Sequence, residues 1–382
     1  MYNDLVQFIR EIFKVKKDFI PLHEPRFVGK EREYVMDAID STFVSSVGTY
    51  VDKFESKMCK ITGAKYAIAL VNGTNALHLA LLLAGVKPED EVLTQSLTFI
   101  ATANAISYCN ATPHFVDVDR DNLGLSPSLL AKHLAQIAEI RNGKCYNKNT
   151  GKRIAACVPM HTFGLPLYID ELVEVCNKYN IPIIEDAAES LGSYYKGKHT
   201  GTFGLLGTFS FNGNKTVTSG GGGAIVTDDE ELAKRAKHLS TQAKIPHKWE
   251  YKHDHIGYNY RMPNLNAALA CAQLEQLDFY VENKRELSNL YFDFFKNKKN
   301  ITLVREKKNT KANYWLNAVL LEDKKARDEF LNFTNTNGIM TRPVWGLMNN
   351  LEMFKKSPKA DLTNAEWLEE RVVNITSSVR IK

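Results

Sequence analysis

Tyr66-Ala-Ile-Ala-Leu-Val71 runs directly into Asn72-Gly-Thr74 and then Asn75-Ala-Leu-His-Leu-Ala-Leu-Leu-Leu-Ala84, which stops at Gly85. The first run is short and apolar and is bounded by turn residues, as a buried strand is. The second is apolar on nearly every side, which predicts a buried helix. The alternation continues downstream. Strands are expected at Glu91–Thr94, Pro113–Val118, Ile154–Pro159 and Ile181–Glu185, with helices over Phe99–Tyr108, around Ser126–Ile140, and over Ile169–Tyr179. Cys145–Arg153 is polar and reads as a loop. Upstream, Lys30–Thr42 and Thr49–Thr62 read as helices, the second closed by Gly63. This pattern argues for an α/β fold: a mostly parallel central sheet flanked by helices on both faces.

After Arg261 the pattern changes. Asn264–Tyr291 reads as one long or broken helix, Thr302–Val304 and Tyr314–Leu320 as strands, and Lys324–Thr334 and Trp367–Val372 as helices. The expected division is an N-terminal helical extension over 1–23, a large α/β domain over 24–262 and a smaller C-terminal α+β domain over 263–382. In the extension, Leu5, Phe8, Ile9, Ile12 and Phe13 follow helical spacing. That apolar stripe suits docking on the protein's own body, with a membrane surface as the alternative.

The chain has 382 residues, 44% hydrophobic and 24% charged, with a net charge of +5. That composition suits a soluble globular protein. The basic clusters at Lys14/Lys16/Lys17, Lys296/Lys298/Lys299 and Lys307/Lys308/Lys311 lack interleaved aromatics and read as solvated faces, so no nucleic-acid partner is expected. Six cysteines form no CxxC pair, which predicts reduced thiols, a cytoplasmic setting, and neither disulfides nor a metal site. Met1–Lys17 lacks the apolar core of a signal peptide, and no run has the ~20 residues of a membrane span.

Open α/β sheets bind ligands at the carboxyl ends of their strands, and polar residues gather there. Asn72-Gly73-Thr74 ends a strand and opens a helix whose free N–H groups favour a phosphate. Asp186 ends the strand Ile181–Glu185 in surroundings where a lone carboxylate is costly. Gly207-Thr-Phe-Ser-Phe-Asn-Gly-Asn-Lys215-Thr-Val-Thr-Ser-Gly-Gly-Gly-Gly-Ala-Ile-Val-Thr227 places Ser210 and Lys215 in a glycine-dense turn between two β-like runs. A lysine held there can act as a Schiff-base nucleophile. Each feature also has a plain structural reading: an ordinary turn, a cap, and a hairpin with a solvated lysine. Together they describe a pyridoxal phosphate site, which needs a phosphate cradle, a carboxylate for the pyridine nitrogen and a lysine for the aldehyde. No GxxxxGK[ST] occurs, and Gly220–Gly223 completes no GxGxxG.

From Phe19 to Thr376 the chain resembles the DegT/DnrJ/EryC1/StrS family of nucleotide-sugar aminotransferases. The motifs that carry the resemblance are Asn72-Gly-Thr-Asn-Ala-Leu77, Ser96-Leu-Thr-Phe99, Val116-Asp-Val-Asp119, Glu185-Asp-Ala-Ala188, Ser210-Phe-Asn-Gly-Asn-Lys215 and Gly257-Tyr-Asn-Tyr-Arg-Met262. The resemblance implies the aspartate-aminotransferase-like fold (fold type I). It implies Lys215 as the catalytic, cofactor-linked lysine and Asp186 as the partner of the pyridine nitrogen. Gly73, Thr74 and Ser210 then hold the phosphate, Phe99 stacks on the ring, and Asn259 reaches the cofactor of a neighbouring subunit, making a homodimer. Glu189 stands near the cofactor hydroxyl, where the family commonly has His or Gln, and Gly220-Gly-Gly-Gly223 replaces its frequent Gly-Glu-Gly-Gly. Phe43-Val-Ser-Ser-Val-Gly48, His161-Thr-Phe-Gly164 and the four glycines resemble the legionaminic-acid-type branch, and Glu189-Ser-Leu-Gly192 resembles perosamine-type 4-aminotransferases. The expected reaction moves an amino group from L-glutamate to C4 of a nucleotide-linked 4-keto-6-deoxy, N-acetylated hexose for a bacterial surface glycan or nonulosonic acid, with the cofactor's amine form arising in turnover. Tyr258, Arg261, Arg342, His161 and the Lys244–His255 loop are candidates for the substrate walls. Amination at C3, dehydration at C3 and a non-catalytic sensor of the same fold are the alternatives; the dehydratases typically carry histidine in place of the lysine.

Overall fold

In the computed structural model, which describes residues 2–45 and 47–381, Gly63 adopts φ +79° and its N–H bonds the Cys59 carbonyl at 2.8 Å. That left-handed cap ends the helix Thr49–Thr62 and turns the chain into the first of seven strands. These are β1 (Tyr66–Leu70), β2 (Glu91–Gln95), β3 (Thr112–Val116), β4 (Ile154–Val158), β5 (Ile184–Asp186), β6 (Leu206–Ser210) and β7 (Gly223–Thr227). Ladders set the orders β1-β7-β6-β5 and β4-β2-β3, and bridges Cys157–Ile183 and Met160–Asp186 join β4 to β5. Neighbouring pairs are parallel except at β7, which runs antiparallel to β1 and β6. The expected mostly parallel sheet is there, with one strand reversed.

The helices of this half are α1 (Tyr2–Phe13), α2 (Glu31–Asp40), α3 (Thr49–Thr62), α4 (Gly73–Leu83), α5 (Ile100–Tyr108), α6 (Pro127–Ile137), α7 (Ile169–Lys178) and α8 (Glu230–Ser240), followed by α9 (Asn264–Leu274). Successive side chains of β1 serve opposite layers, as a period of two demands. Ala67 and Ala69 pack toward Phe54 and Met58 of α3 and Ala267 of α9, while Ile68 and Leu70 pack toward Leu79 of α4 and Ala236 of α8. Both faces are therefore covered, and the strand is apolar at nearly every position.

Then come α10 (Leu277–Phe295), α11 (Lys324–Thr336) and α12 (Thr363–Glu369), with strands β8 (Ile301–Leu303), β9 (Asn317–Leu321), β10 (Arg342–Pro343) and β11 (Val372–Ile375). These strands form a second, antiparallel sheet in the order β8-β9-β11-β10. Helix α1 docks on it: Leu5 and Ile9 are buried with Tyr291, Val319, Phe330 and Val373. Each such side chain contributes about 1.5–3 kcal/mol on burial, so the protein's own body accounts for the apolar stripe. Among the described residues no helix is long and apolar enough to cross a membrane.

Two sequence expectations change, and one left open is decided. The helix predicted to Ile140 ends at Ile137, and Ala138–Arg141 pairs with Lys144–Asn147 in a hairpin, so the segment read as a loop begins as a strand. Asn142 and Gly143 form its turn, both at positive φ (+49° and +74°), as a two-residue type I′ turn requires. Glu275-Gln276 separates α9 from α10, so the long helix is a broken one. The helix expected over Trp367–Val372 ends at Glu369, and the β-branched pair Val372-Val373 opens β11. Ser46, within the Phe43–Gly48 run, lies outside the described residues.

The close approach of Gly207 to Gly201 carries a prediction. A Cβ at Gly207 lies 1.9 Å from the Gly201 carbonyl oxygen, which is backbone and has no room to move. Gly207→Ala is expected to destabilise the protein by about 3 kcal/mol, read as a lower urea midpoint. An unchanged midpoint contradicts this packing.

Candidate active site

The reversed strand β7 explains how a lysine reaches the centre of the molecule. β6 and β7 pair as a hairpin whose connection, residues 211–222, loops over the carboxyl ends of β5 and β6. Gly223 packs so close to the turn before α4 that a Cβ there lies 2.3 Å from the Asn72 carbonyl oxygen. This approach brings the hairpin to the start of α4. Asn72 caps that helix, its side chain accepting from the Asn75 N–H at 2.8 Å. Gly73 faces Ser210, where a Cβ would lie 2.8 Å from the Ser210 Cβ and fill the space between them.

A cavity of about 320 Å³ opens at this junction, lined by Gly73, Thr74, Phe99, Asp186, Glu189, Ser210 and Lys215, and also by Trp315 and Trp345. A volume near 300 Å³ suits a small ligand. The Asp186 carboxylate is buried, accepting from Thr102 Oγ1 at 2.7 Å and the Ala188 N–H at 3.2 Å. Burial pushes its carboxyl above the usual range despite those bonds. Glu189, also buried, accepts from the Phe163 N–H at 2.9 Å and from Lys215 Nζ at 3.3 Å. Burial raises it to about 6, with Lys215 drawing it back down. Lys215 Nζ also lies 3.9 Å from the centroid of the Trp315 ring, within cation–π range. The Trp315 indole N–H is in turn fixed on the Asn214 carbonyl at 2.6 Å. Phe99 stands half-exposed at the rim, 6.0 Å from Trp345, which packs 5.1 Å from Phe163.

The other candidates are placed elsewhere. His161 is buried with Nε2 on Glu185 at 2.9 Å and Nδ1 accepting from the Leu167 N–H at 3.3 Å, so both ring nitrogens are committed to the scaffold. Tyr258 stacks on Tyr260 at 4.9 Å beside His78. Asn259 is exposed, with Arg261 Nε 3.3 Å from its side-chain oxygen. Arg342 is exposed on β10 of the second sheet. None of these five lines the cavity. Trp315 and Trp345 do, and sequence reasoning missed both. Their one sequence signal is rarity, two of four tryptophans in the chain.

The profile of the DegT/DnrJ/EryC1/StrS aminotransferase family matches residues 26–382. The chain belongs to this family. Among its relatives, a GDP-perosamine synthase of Escherichia coli O157:H7 is 41% identical, over 94% of this chain and 93% of that protein. A GDP-perosamine synthase of Vibrio cholerae is 34% identical, over 88% and 87%. The aminotransferase TlmJ from Streptoalloteichus hindustanus superposes with a TM-score of 0.86 at 24% identity, covering 95% of each chain; at that identity the likeness speaks for the fold. This chain is a pyridoxal phosphate-dependent sugar aminotransferase. The cavity fits that cofactor. It offers an anion cradle at the start of α4, a buried carboxylate bonded by one hydroxyl and one backbone N–H, and a lysine.

Glu189 gives this site a pH signature in the cofactor-free protein. Its folded value of about 6 stands above the ordinary 4.5. Such a raised acid favours folding while protonated in both states, and that advantage is lost as pH rises from about 4.5 to 6. The loss is roughly 2 kcal/mol. Chemical denaturation about one unit below and about one unit above that window should show Glu189→Gln gaining stability over the wild type by this amount as pH rises. Parallel pH profiles for the two proteins refute the assignment.

Proposed function

We propose that the protein transfers an amino group from L-glutamate to C4 of a GDP-linked 4-keto-6-deoxyhexose. The observation that carries the reading is the convergence of Lys215, Asp186 and the α4 N-terminus on one cavity. Its likeness to two GDP-perosamine synthases supports the choice of sugar, of C4 and of the nucleotide. Gly73, Thr74 and Ser210 would hold the cofactor's phosphate at the helix N-terminus, where free N–H groups and the helix dipole favour an anion. Asp186 would hold the ring nitrogen, Glu189 would face the ring hydroxyl, and Phe99 would lie against the ring. Bound there, pyridoxal phosphate supplies an electron sink.

The chain's own residues then have three tasks. Asp186 keeps a proton on the atom it faces, because a buried carboxylate gains far more from a cationic partner than an exposed one does. Lys215 moves a proton as general acid and base, its Nζ held between Glu189 and the Trp315 ring. Trp315 and Trp345 line the cavity, and their apolar rings lower the dielectric around each of these charge interactions. Glutamate and the sugar ketone use the same cavity in turn. A second copy of the chain would contribute Asn259, which this chain holds at its surface.

Incubation with L-glutamate and a 4-keto-6-deoxy sugar carried on GDP, UDP or dTDP tests the reading. We expect 2-oxoglutarate and the ketone-to-amine mass change with the GDP sugar. Amination confined to an N-acetylated UDP sugar would move the assignment to the legionaminic-acid-type substrates, and a dehydrated product without 2-oxoglutarate would sink it. Purified protein should be yellow, and borohydride should fix the cofactor on Lys215. Lys215→Ala should lose both that label and at least about 10²–10⁴ of the rate.

A further inference from the structure

Outside the cavity, two segments bring three metal-ligand side chains together. His238 lies in the last turn of α8, and Asp254 and His255 come just after the exposed two-stranded turn Lys244–Ile245/Lys252–His253. His238 Nε2 stands 2.6 Å from Asp254 Oδ1, and His255 Nδ1 stands 3.1 Å from the same oxygen. One ligand atom from each residue falls within 4.8 Å of the other two. The imidazole planes are nearly perpendicular, at 86°. Both imidazoles hydrogen-bond the Asp254 carboxylate in this structure, so a metal ion here would take the place of the protons they share with it.

We infer that His238, Asp254 and His255 bind a zinc ion that clamps the 244–256 segment onto α8. The donor set excludes the hard cations. Two imidazoles and one carboxylate suit zinc, whereas magnesium and calcium select all-oxygen sites. Zinc–ligand bonds of about 2.0–2.2 Å place tetrahedral ligands roughly 3.3–3.5 Å apart. The separations present need small side-chain rotations to reach that spacing. All three side chains are partly exposed, which leaves room for water at the remaining position.

The clamp bears on the residues immediately after it in the chain. The Tyr258 N–H bonds the carbonyl of Leu239, next to His238, at 2.7 Å, and Asn259 is its neighbour. The clamped segment displays Trp249, Tyr251 and Ile256, each more than 70% exposed. Because the site shares no residue with the cavity, its test is independent of the aminotransferase assignment.

The experiment uses full-length protein loaded with pyridoxal phosphate and stripped of metal. Titration calorimetry with Zn²⁺, and Co²⁺ followed by its d–d absorption, should show one ion per chain. His238→Ala and His255→Ala should each weaken binding by more than about tenfold, since even outer partners of metal ligands are worth 10–100-fold. His247→Ala should leave it unchanged, because that imidazole accepts from the backbone of Trp249 and Glu250 within the turn. Zn²⁺ should slow proteolytic cleavage in the 244–256 segment of the wild type and not of His255→Ala. Failure to bind either ion at micromolar concentration, or binding that survives both ligand substitutions, overturns the proposal. Matching melting curves of the metal-free proteins show that a loss of binding is not a loss of folding.

Discussion

Asp186 ends β5 with its carboxylate buried and held by one hydroxyl and one backbone N–H. Three residues on, Glu189 is buried as well, and the nearby amine is that of Lys215. Two carboxylates and one lysine in a low-dielectric cavity are left with one anion short of a partner, and isolated buried charge is costly. Burial accordingly pushes both acids upward. A cationic ring nitrogen against Asp186 would relieve that imbalance. The demand for a cofactor is thus written into the charge balance of the cavity as well as into its shape.

Bringing Lys215 to those acids requires the reversed strand. In an all-parallel sheet, the chain leaving β6 would pass through a crossover helix and return at the opposite end. Here β7 returns antiparallel beside β6, and residues 211–222 stay over the carboxyl ends of the strands. The approach of Gly223 to the Asn72 carbonyl fixes this loop against the start of α4, so the opening turn of that helix and the lysine are positioned by one packing contact. Gly223 is a requirement of that close approach, since any side chain there would collide with backbone.

Local signals carried well where local energetics decide. The α/β alternation, the cap at Gly63 and the start of α4 were legible because caps and apolar runs act over a few residues. Misread segments were those where tertiary context competes with composition. Lys144–Asn147 is polar yet pairs as a strand, since the Asn147 side chain donates to the buried Glu91 carboxylate 2.9 Å away. Asn142-Gly143 was the readable sign of that turn.

The amino-acid sequence alone determined which chemical groups are present and in what order: a helix-opening glycine, a strand-ending aspartate, and a lysine in a glycine-rich turn. Its motifs also pointed to the family. The tertiary structure decided which groups meet. It set Trp315 over Lys215 across a separation of 100 residues, brought Trp345 to the rim, and withdrew His161 into a buried pair with Glu185. It also gathered His238, Asp254 and His255 at one point on the surface. The physical reason is that such contacts join residues far apart in sequence. Their energy depends on packing and on the burial of charge, and neither exists until the chain has closed on itself.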